Sequence, residues 1–152
     1  MVLLALRQQD LQGVVWQKID AIKNFHFIVL STNVDLPNVT QIPEGTLPFI
    51  DVLNSCDLVL SKPGYSLISE CLANQVKVLY IPREDFKEEI PLQKALQQDM
   101  VSKYLPLTDF INGEWQDHLV SLYNKTGLWK SVNPNGADFI AADLIQKQNA
   151  LI

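Results

Sequence analysis

The chain has 152 residues, of which 47% are hydrophobic and 19% are charged, and its formal net charge is −5. This length and composition predict one globular domain with a single core, and no apolar run reaches the roughly 20 residues that span a bilayer. The acidic balance argues against a nucleic-acid backbone as the ligand, because that needs a basic surface, but a helix N-terminus can still hold a small phosphate.

Apolar residues recur at helical spacing in some segments and form short continuous runs in others. In chain order they predict a strand at Val2–Leu6, a helix over residues 9–23, strands at Phe25–Leu30 and Val39–Ile42, a short helix at Phe49–Cys56, a strand at Asp57–Leu60, a helix over 65–74, a strand at Lys77–Ile81, a helix at Pro91–Gln98, a strand at Val101–Leu105, and helices over 114–125 and 136–149. A turn is predicted between the last two helices, at Asn133–Gly136.

Strands and helices therefore alternate, and the strands are apolar throughout instead of alternating in polarity. This combination is typical of a parallel sheet that is covered on both faces. We predict an α/β fold for residues 1–152 as a single domain: a doubly wound, Rossmann-like, mostly parallel sheet of about six strands with helices on both faces. The first strand would lie in the middle of such a sheet, so its position at residue 2 suggests a half of a larger or split protein.

The loop Ser61–Ser66 is the predicted ligand site. In a sheet of order 3-2-1-4-5-6, ligands bind beyond the carboxyl ends of the first and fourth strands, where the strand order reverses. The loops that meet there are Arg7–Gln12 and Ser61–Ser66. Gly64 allows a ligand to approach the backbone, and the helix after it presents unpaired N–H groups to an anion. Lys62 can add a charge, and Ser66 can add a hydroxyl donor.

Glu70 lies one helical turn beyond this loop. It follows Ser66 by four residues, which places it on the same helix face about 6 Å further along the axis. That offset is close to the step from a diphosphate to the hydroxyls of its ribose, and a carboxylate can accept hydrogen bonds from both hydroxyls. The segment thus fits a nucleoside diphosphate. The alternative is a plain strand–turn–helix with a solvated Glu70.

Three segments of the chain occur in a fixed order, and the ordered set identifies a protein family more specifically than any single segment does. They are Phe49-Ile50-Asp51, then Ser61-Lys62-Pro63-Gly64-Tyr65-Ser66-Leu67-Ile68-Ser69-Glu70, then Ile81-Pro82-Arg83. Over about residues 45–105 this set resembles the C-terminal, nucleotide-sugar-binding domain of MurG-like glycosyltransferases of the GT-B fold, the family 28 C-terminal type.

The resemblance implies a role for each matching residue. Three residues would face the diphosphate, namely Gly64, Tyr65 and Ser66, and Lys62 would take the family's basic position. Glu70 would hold the ribose hydroxyls, and the backbone near Ile50 would read the pyrimidine edge. The loop that grips the donor sugar would contain Arg83, Glu88 and Glu89.

Three departures from the family pattern bear on turnover. The first strand ends in Arg7-Gln8-Gln9-Asp10 where the family has a glycine-rich loop, and Gly13 comes too late to replace it. Leu67 stands where a threonine is common. After Pro82 many members carry Asp-Gln-Gln, whereas this chain has Arg83-Glu84-Asp85-Phe86-Lys87-Glu88-Glu89. The Glu-Glu pair in this segment is similar to that of a related branch of the family.

The resemblance implies that the chain binds a nucleotide-sugar as a substrate, and in particular a UDP-sugar. It implies neither a cofactor nor a metal ion. It also implies an acceptor-binding domain or subunit as partner, which would supply the catalytic base, so no catalytic residue is assigned here. We expect no nucleic-acid partner and membrane contact only through that partner. Because Cys56 and Cys71 lack metal-ligand spacing, we predict buried, reduced thiols in a cytoplasmic protein.

Two other interpretations stay open. One is an inactive relative that keeps the fold and serves as a regulatory or interaction module, which Leu67 and the altered first loop favour. The other is an unrelated doubly wound protein in which the three segments match by chance. The retained Gly64 and Glu70 oppose the former, and the order and spacing of the segments oppose the latter.

Overall fold

Short apolar segments form one parallel sheet in the computed structural model, which describes residues 1–30, 32–83, 86–132 and 135–149. Within these residues the strands are β1 (Val2–Ala5), β2 (Phe27–Val29), β3 (Val39–Gln41), β4 (Leu58–Ser61), β5 (Lys77–Tyr80) and β6 (Ser102–Tyr104). They lie in the order β3-β2-β1-β4-β5-β6, and every neighbouring pair is parallel. The predicted α/β fold is confirmed.

Helices cover both faces of this sheet. The helices are α1 (Trp16–Asp20), α2 (Phe49–Asn54), α3 (Tyr65–Asn74), α4 (Glu89–Asp99), α5 (Leu107–Ile111), α6 (Gln116–Asn124) and α7 (Gly136–Asn149). Successive strand residues point to opposite faces, so Leu3 and Leu4 enter different core clusters. The cluster around Leu4 receives buried residues from α1, α5 and α6, and the cluster around Leu3 receives them from α2, α3 and α4.

The prediction of one continuous helix over residues 9–23 is wrong. The chain forms a 3-10 turn at Gln8–Leu11 and then the separate helix α1. Gly13 interrupts it with a φ of 82°, a left-handed conformation that helices do not contain. The apolar spacing nevertheless identified the buried face, because Leu11 and Ile19 both lie in the core.

Trp115 attaches the C-terminal helices to the sheet. Its ring is fully buried, and its Nε1 donates a hydrogen bond of 2.8 Å to the carbonyl of Phe110. It stacks on the Phe110 ring at 5.4 Å and meets Phe27 and Trp16 edge-on at 5.9 and 6.3 Å. These contacts join β2, α1 and α5. The sequence did not predict α5.

The two cysteines are buried and unpaired, as predicted. Burial raises the pKa of Cys71 to about 12, and the charge of neighbouring Glu70 adds to this effect. Burial likewise raises the pKa of Cys56. Both groups are therefore protonated thiols near neutral pH, with little nucleophilic reactivity.

The last helix differs from the others. α7 agrees with the prediction for residues 136–149, but none of its residues is buried, and its large apolar side chains are exposed. Two residues of the predicted turn before it, Asn133 and Pro134, lie outside the described residues. No helix in the described part of the chain is both long and apolar enough to cross a membrane.

Candidate functional site

A cleft of about 1190 Å³ opens at the carboxyl ends of β1 and β4, where the strand order reverses. The connections after the strands supply most of its lining: Arg7–Asp10 after β1, Leu30 after β2, Ile42–Gly45 after β3, Lys62–Gly64 after β4, Pro82 with Arg83 after β5, and Leu107 after β6. The oxygen of the buried Ser61 hydroxyl lies 3.0 Å from the carbonyl oxygens of both Ala5 and Lys62 and can donate its one proton to either. The bond to Ala5 ties the ends of β1 and β4 together. The cleft is where the sheet topology predicts a ligand.

Gly64 precedes α3 and lines this cleft. Its φ of −158° is extended backbone that any residue adopts, and a Cβ added to it would meet nothing within 4 Å. The fold itself therefore does not require a glycine at this position. The first bond within the helix runs from the Ile68 amide to the Gly64 carbonyl at 2.9 Å, so the N–H groups of residues 65–67 have no acceptor inside the helix.

Glu70 and Ser66 also line the cleft, on the same helix. Within the described residues the Glu70 carboxylate has no hydrogen bond or salt bridge, whereas its backbone carbonyl accepts a bond from the Asn74 side chain at 2.8 Å. Because four residues advance a helix by about 6 Å, the carboxylate lies one turn from the open helix end. A polar ligand in the cleft can thus reach an anion-binding end and a free carboxylate together.

Lys62 is paired inside the cleft. Its Nζ lies 2.6 Å from Asp10 Oδ1, and the Arg7 amide donates to Asp10 Oδ2 at 3.1 Å. The side chains of Asp10 and Lys62 are 14% and 35% exposed. Burial acts to raise the pKa of Asp10, but the bonds from Lys62 and the Arg7 amide, together with the charges of both residues, hold that pKa below its usual value. Asp10 is therefore ionised at neutral pH, and the pair carries no net charge.

Arg83 is held beside the start of α3. Its Nη1 donates to the Pro63 carbonyl at 3.3 Å, and its Cζ lies 3.9 Å from the centroid of the Phe86 ring. Its backbone amide donates to Glu89 Oε1 at 2.8 Å, and the same oxygen accepts a bond from Gln93 Nε2 at 2.8 Å. Glu89 thus fixes the backbone of Arg83, and Arg83 lines the cleft.

The sequence-predicted site residues divide into two groups. Five of them line the cleft: Lys62, Gly64, Ser66, Glu70 and Arg83. Four lie outside its lining: Ile50, Tyr65, Glu88 and Glu89, although Phe49 next to Ile50 is part of it. Glu84 and Asp85 of the predicted sugar loop lie outside the described residues.

Sequence reasoning did not single out the cleft residues Asp10 and Glu44 as ligand contacts. Both follow the carboxyl end of a predicted strand, and that position was the available signal. In the described part of the chain, no group of three or more histidine, cysteine or acidic residues is arranged to hold a metal ion.

The sequence matches no protein-family profile and no curated protein. The fold is similar to two solved glycosyltransferase structures. One is the glycosyltransferase VinC in complex with dTDP, with 17% identity and a TM-score of 0.65 over 82% of this chain and 33% of that one. The other is the spinosyn forosaminyltransferase SpnP, with 18% identity and a TM-score of 0.59 over 81% of this chain and 34% of that one. This chain therefore spans about a third of the length of these structures.

Proposed function

We propose that this chain is the donor-binding domain of a GT-B glycosyltransferase and that its cleft binds a pyrimidine nucleotide-sugar. One observation carries the proposal: Gly64, which the fold does not need, opens the start of α3 into the cleft, with the Glu70 carboxylate one turn further on. A nucleoside diphosphate has its anionic and its diol groups at a matching separation. The likeness in fold to glycosyltransferases supports the same conclusion.

The proposal places the diphosphate against the N–H groups of residues 65–67 and the Ser66 hydroxyl. The ribose hydroxyls bind the Glu70 carboxylate, and the base lies toward Phe49 and Ile50. A pyrimidine is favoured because VinC was solved with dTDP and because the segment around Ile50 resembles that of UDP-sugar enzymes. The helix end offsets part of the diphosphate charge, and we expect binding without a metal ion.

In the proposed reaction, an acceptor hydroxyl oxygen forms a bond to the anomeric carbon of the donor sugar. The bond from that carbon to the diphosphate breaks, and the nucleoside diphosphate leaves with the electron pair. The helix end stabilises the charge that develops on it. The acceptor proton goes to a base on an acceptor-binding partner that closes over the donor. The lowered pKa of Asp10 makes that cleft carboxylate a weak base. The two reduced cysteines fit action in the cytoplasm.

Titration calorimetry with UDP, dTDP and ADP tests the nucleotide assignment. We expect both pyrimidine nucleotides to bind and ADP to bind more weakly. Equal binding of UDP and ADP, or binding of neither, would contradict it.

The purified chain alone should transfer no sugar. Robust transfer without a partner would contradict the proposal that an acceptor-binding partner supplies the catalytic base.

The second candidate function is an inactive module of the same fold. The Lys62–Asp10 pair favours it, because it neutralises the basic residue that the family directs at the phosphates, and so does Leu67. This candidate predicts that UDP binds weakly or not at all. The same titration therefore separates the two functions.

A further inference from the structure

Three basic side chains line the cleft among the residues that the structure describes: Arg7, Lys62 and Arg83. They are not equivalent in what they can offer an anion. Arg7 is exposed, so solvent and salt screen its charge. The other two are partly buried and lie near the start of α3, because Lys62 directly precedes Pro63 and Arg83 donates to the Pro63 carbonyl.

The charge of Lys62 is already compensated. Asp10 lies 2.6 Å from its ammonium and is the more buried partner, at 14% exposed. If Lys62 turned toward a ligand, it would leave the partly buried Asp10 carboxylate without its counter-ion, which is unfavourable. The freed Asp10 would also repel the ligand. A phosphate in the cleft therefore meets a neutral pair at this position.

Among the residues that the structure describes, the charge of Arg83 has no such partner. Its guanidinium donates to one neutral carbonyl, that of Pro63, and lies against the Phe86 ring. Neither contact neutralises it, and a guanidinium has five N–H donors, so several remain for a ligand. Pro63 directly precedes Gly64, which puts these donors beside the open end of α3. The planar fork of an arginine suits two phosphate oxygens at once.

We infer that Arg83, and not Lys62, supplies the positive side-chain charge to the diphosphate of the ligand. This inference rests on the proposed function and departs from the role that the resemblance implies for Lys62. The Lys62–Asp10 pair then joins the loops after β1 and β4 and shapes the cleft without contributing net charge.

The test compares two changes of the full chain by calorimetry with UDP, inorganic diphosphate and uridine. Arg83→Gln removes the free charge. The double variant Lys62→Gln with Asp10→Asn replaces one neutral pair by another, so it removes Lys62 without exposing Asp10. Lys94→Gln, on the exposed face of α4, is the control for an equal change in protein charge outside the cleft.

Loss of a charge-assisted contact predicts that Arg83→Gln weakens UDP and inorganic diphosphate by the same factor, roughly tenfold to hundredfold, and leaves uridine unchanged. The double variant and Lys94→Gln should each change the affinities by less than about threefold. The inference is overturned if the double variant costs as much as Arg83→Gln, or if Arg83→Gln costs nothing. If Arg83→Gln melts far below the parent, Arg83→Lys replaces it in the test. We then expect a smaller loss of affinity for both anions and no loss for uridine.

The outcomes also separate this inference from the proposed function. If the parent binds UDP but Arg83→Gln does so equally well, the charge assignment fails and the nucleotide site stands. If the parent binds inorganic diphosphate through Arg83 but binds all nucleotides equally, the charge assignment stands and the proposed nucleotide-sugar site is contradicted. Binding of neither UDP nor inorganic diphosphate by the parent contradicts both.

Discussion

Two glycines illustrate how the fold requires this residue type at one position and does not require it at another. Gly64 has extended backbone and open space around an added Cβ. Gly113 has a φ of 70°, and a Cβ there would lie 2.8 Å from the Val15 carbonyl oxygen. The first can be replaced without disturbing the folded chain, and the second cannot.

Gly64→Ala should leave the free energy of unfolding almost unchanged but weaken UDP binding, because its methyl group would occupy the space where the diphosphate approaches the helix end. Gly113→Ala should destabilise the chain by about 1–3 kcal/mol through the strained φ and the close contact. Urea unfolding and calorimetry measure the two effects. If Gly64→Ala binds UDP normally, the phosphate does not lie at the start of α3.

Glu70→Gln tests the ribose contact, because it keeps the shape of the side chain and removes its charge. Hydrogen bonds to a charged group are stronger than neutral ones, so UDP affinity should fall about fivefold to hundredfold. Affinity for inorganic diphosphate, which has no ribose, should not change. Stability should also be unaffected, since the carboxylate has no bonding partner among the described residues. A mutant that melts far below the parent would show that Glu70 is structural.

Among single residues, sequence reasoning placed Gly64, Ser66 and Glu70 at the cleft because their positions follow from one strand end and one helical period. It could not foresee the partner of Lys62. Asp10 is 52 positions away, and the pair forms only because the sheet brings the loops after β1 and β4 together. Contacts between side chains of distant loops carry no local sequence pattern.

At the scale of elements, predictions were accurate where local signals and packing agreed. The helix over 65–74 was predicted with its observed bounds, since Pro63-Gly64 ends the strand and the apolar spacing then continues. The helix over 9–23 was broken because Gly13 adopts a left-handed φ while Leu11 and Ile19 still reach the core. Apolar spacing reports which side chains are buried, and two short elements can bury the same set as one long helix.

Trp115 controls the attachment of α5 and α6 to the sheet. Trp115→Ala removes a fully buried ring and its bond to Phe110, and we expect it to lower the free energy of unfolding by about 3–5 kcal/mol. Trp115→Phe keeps the stacking on Phe110 but loses the bond, so its cost should be smaller. Urea titrations measure both. Equal costs for the two variants would mean that the hydrogen bond, and not the ring volume, dominates.

At the scale of the whole molecule, α7 lies apart from the core. None of its residues is buried, while Phe139 and Leu144 are 74% and 61% exposed. A chain that ends at residue 135 should therefore show nearly the same unfolding midpoint as the full chain, and it should bind UDP equally. Thermal melting followed by circular dichroism measures the first expectation and calorimetry the second. A large drop in the midpoint would show that the helix supports the sheet.

The pairing of β1 with β4 has a consequence for synthesis on the ribosome. Leu3 pairs with Val59, so 56 residues separate partners at the centre of the sheet. At about 5–20 residues per second, β4 is made roughly 3–10 s after β1. During that interval one edge of an apolar strand has no neighbour, and the nascent chain exposes a surface that chaperones bind and that other strands can pair with.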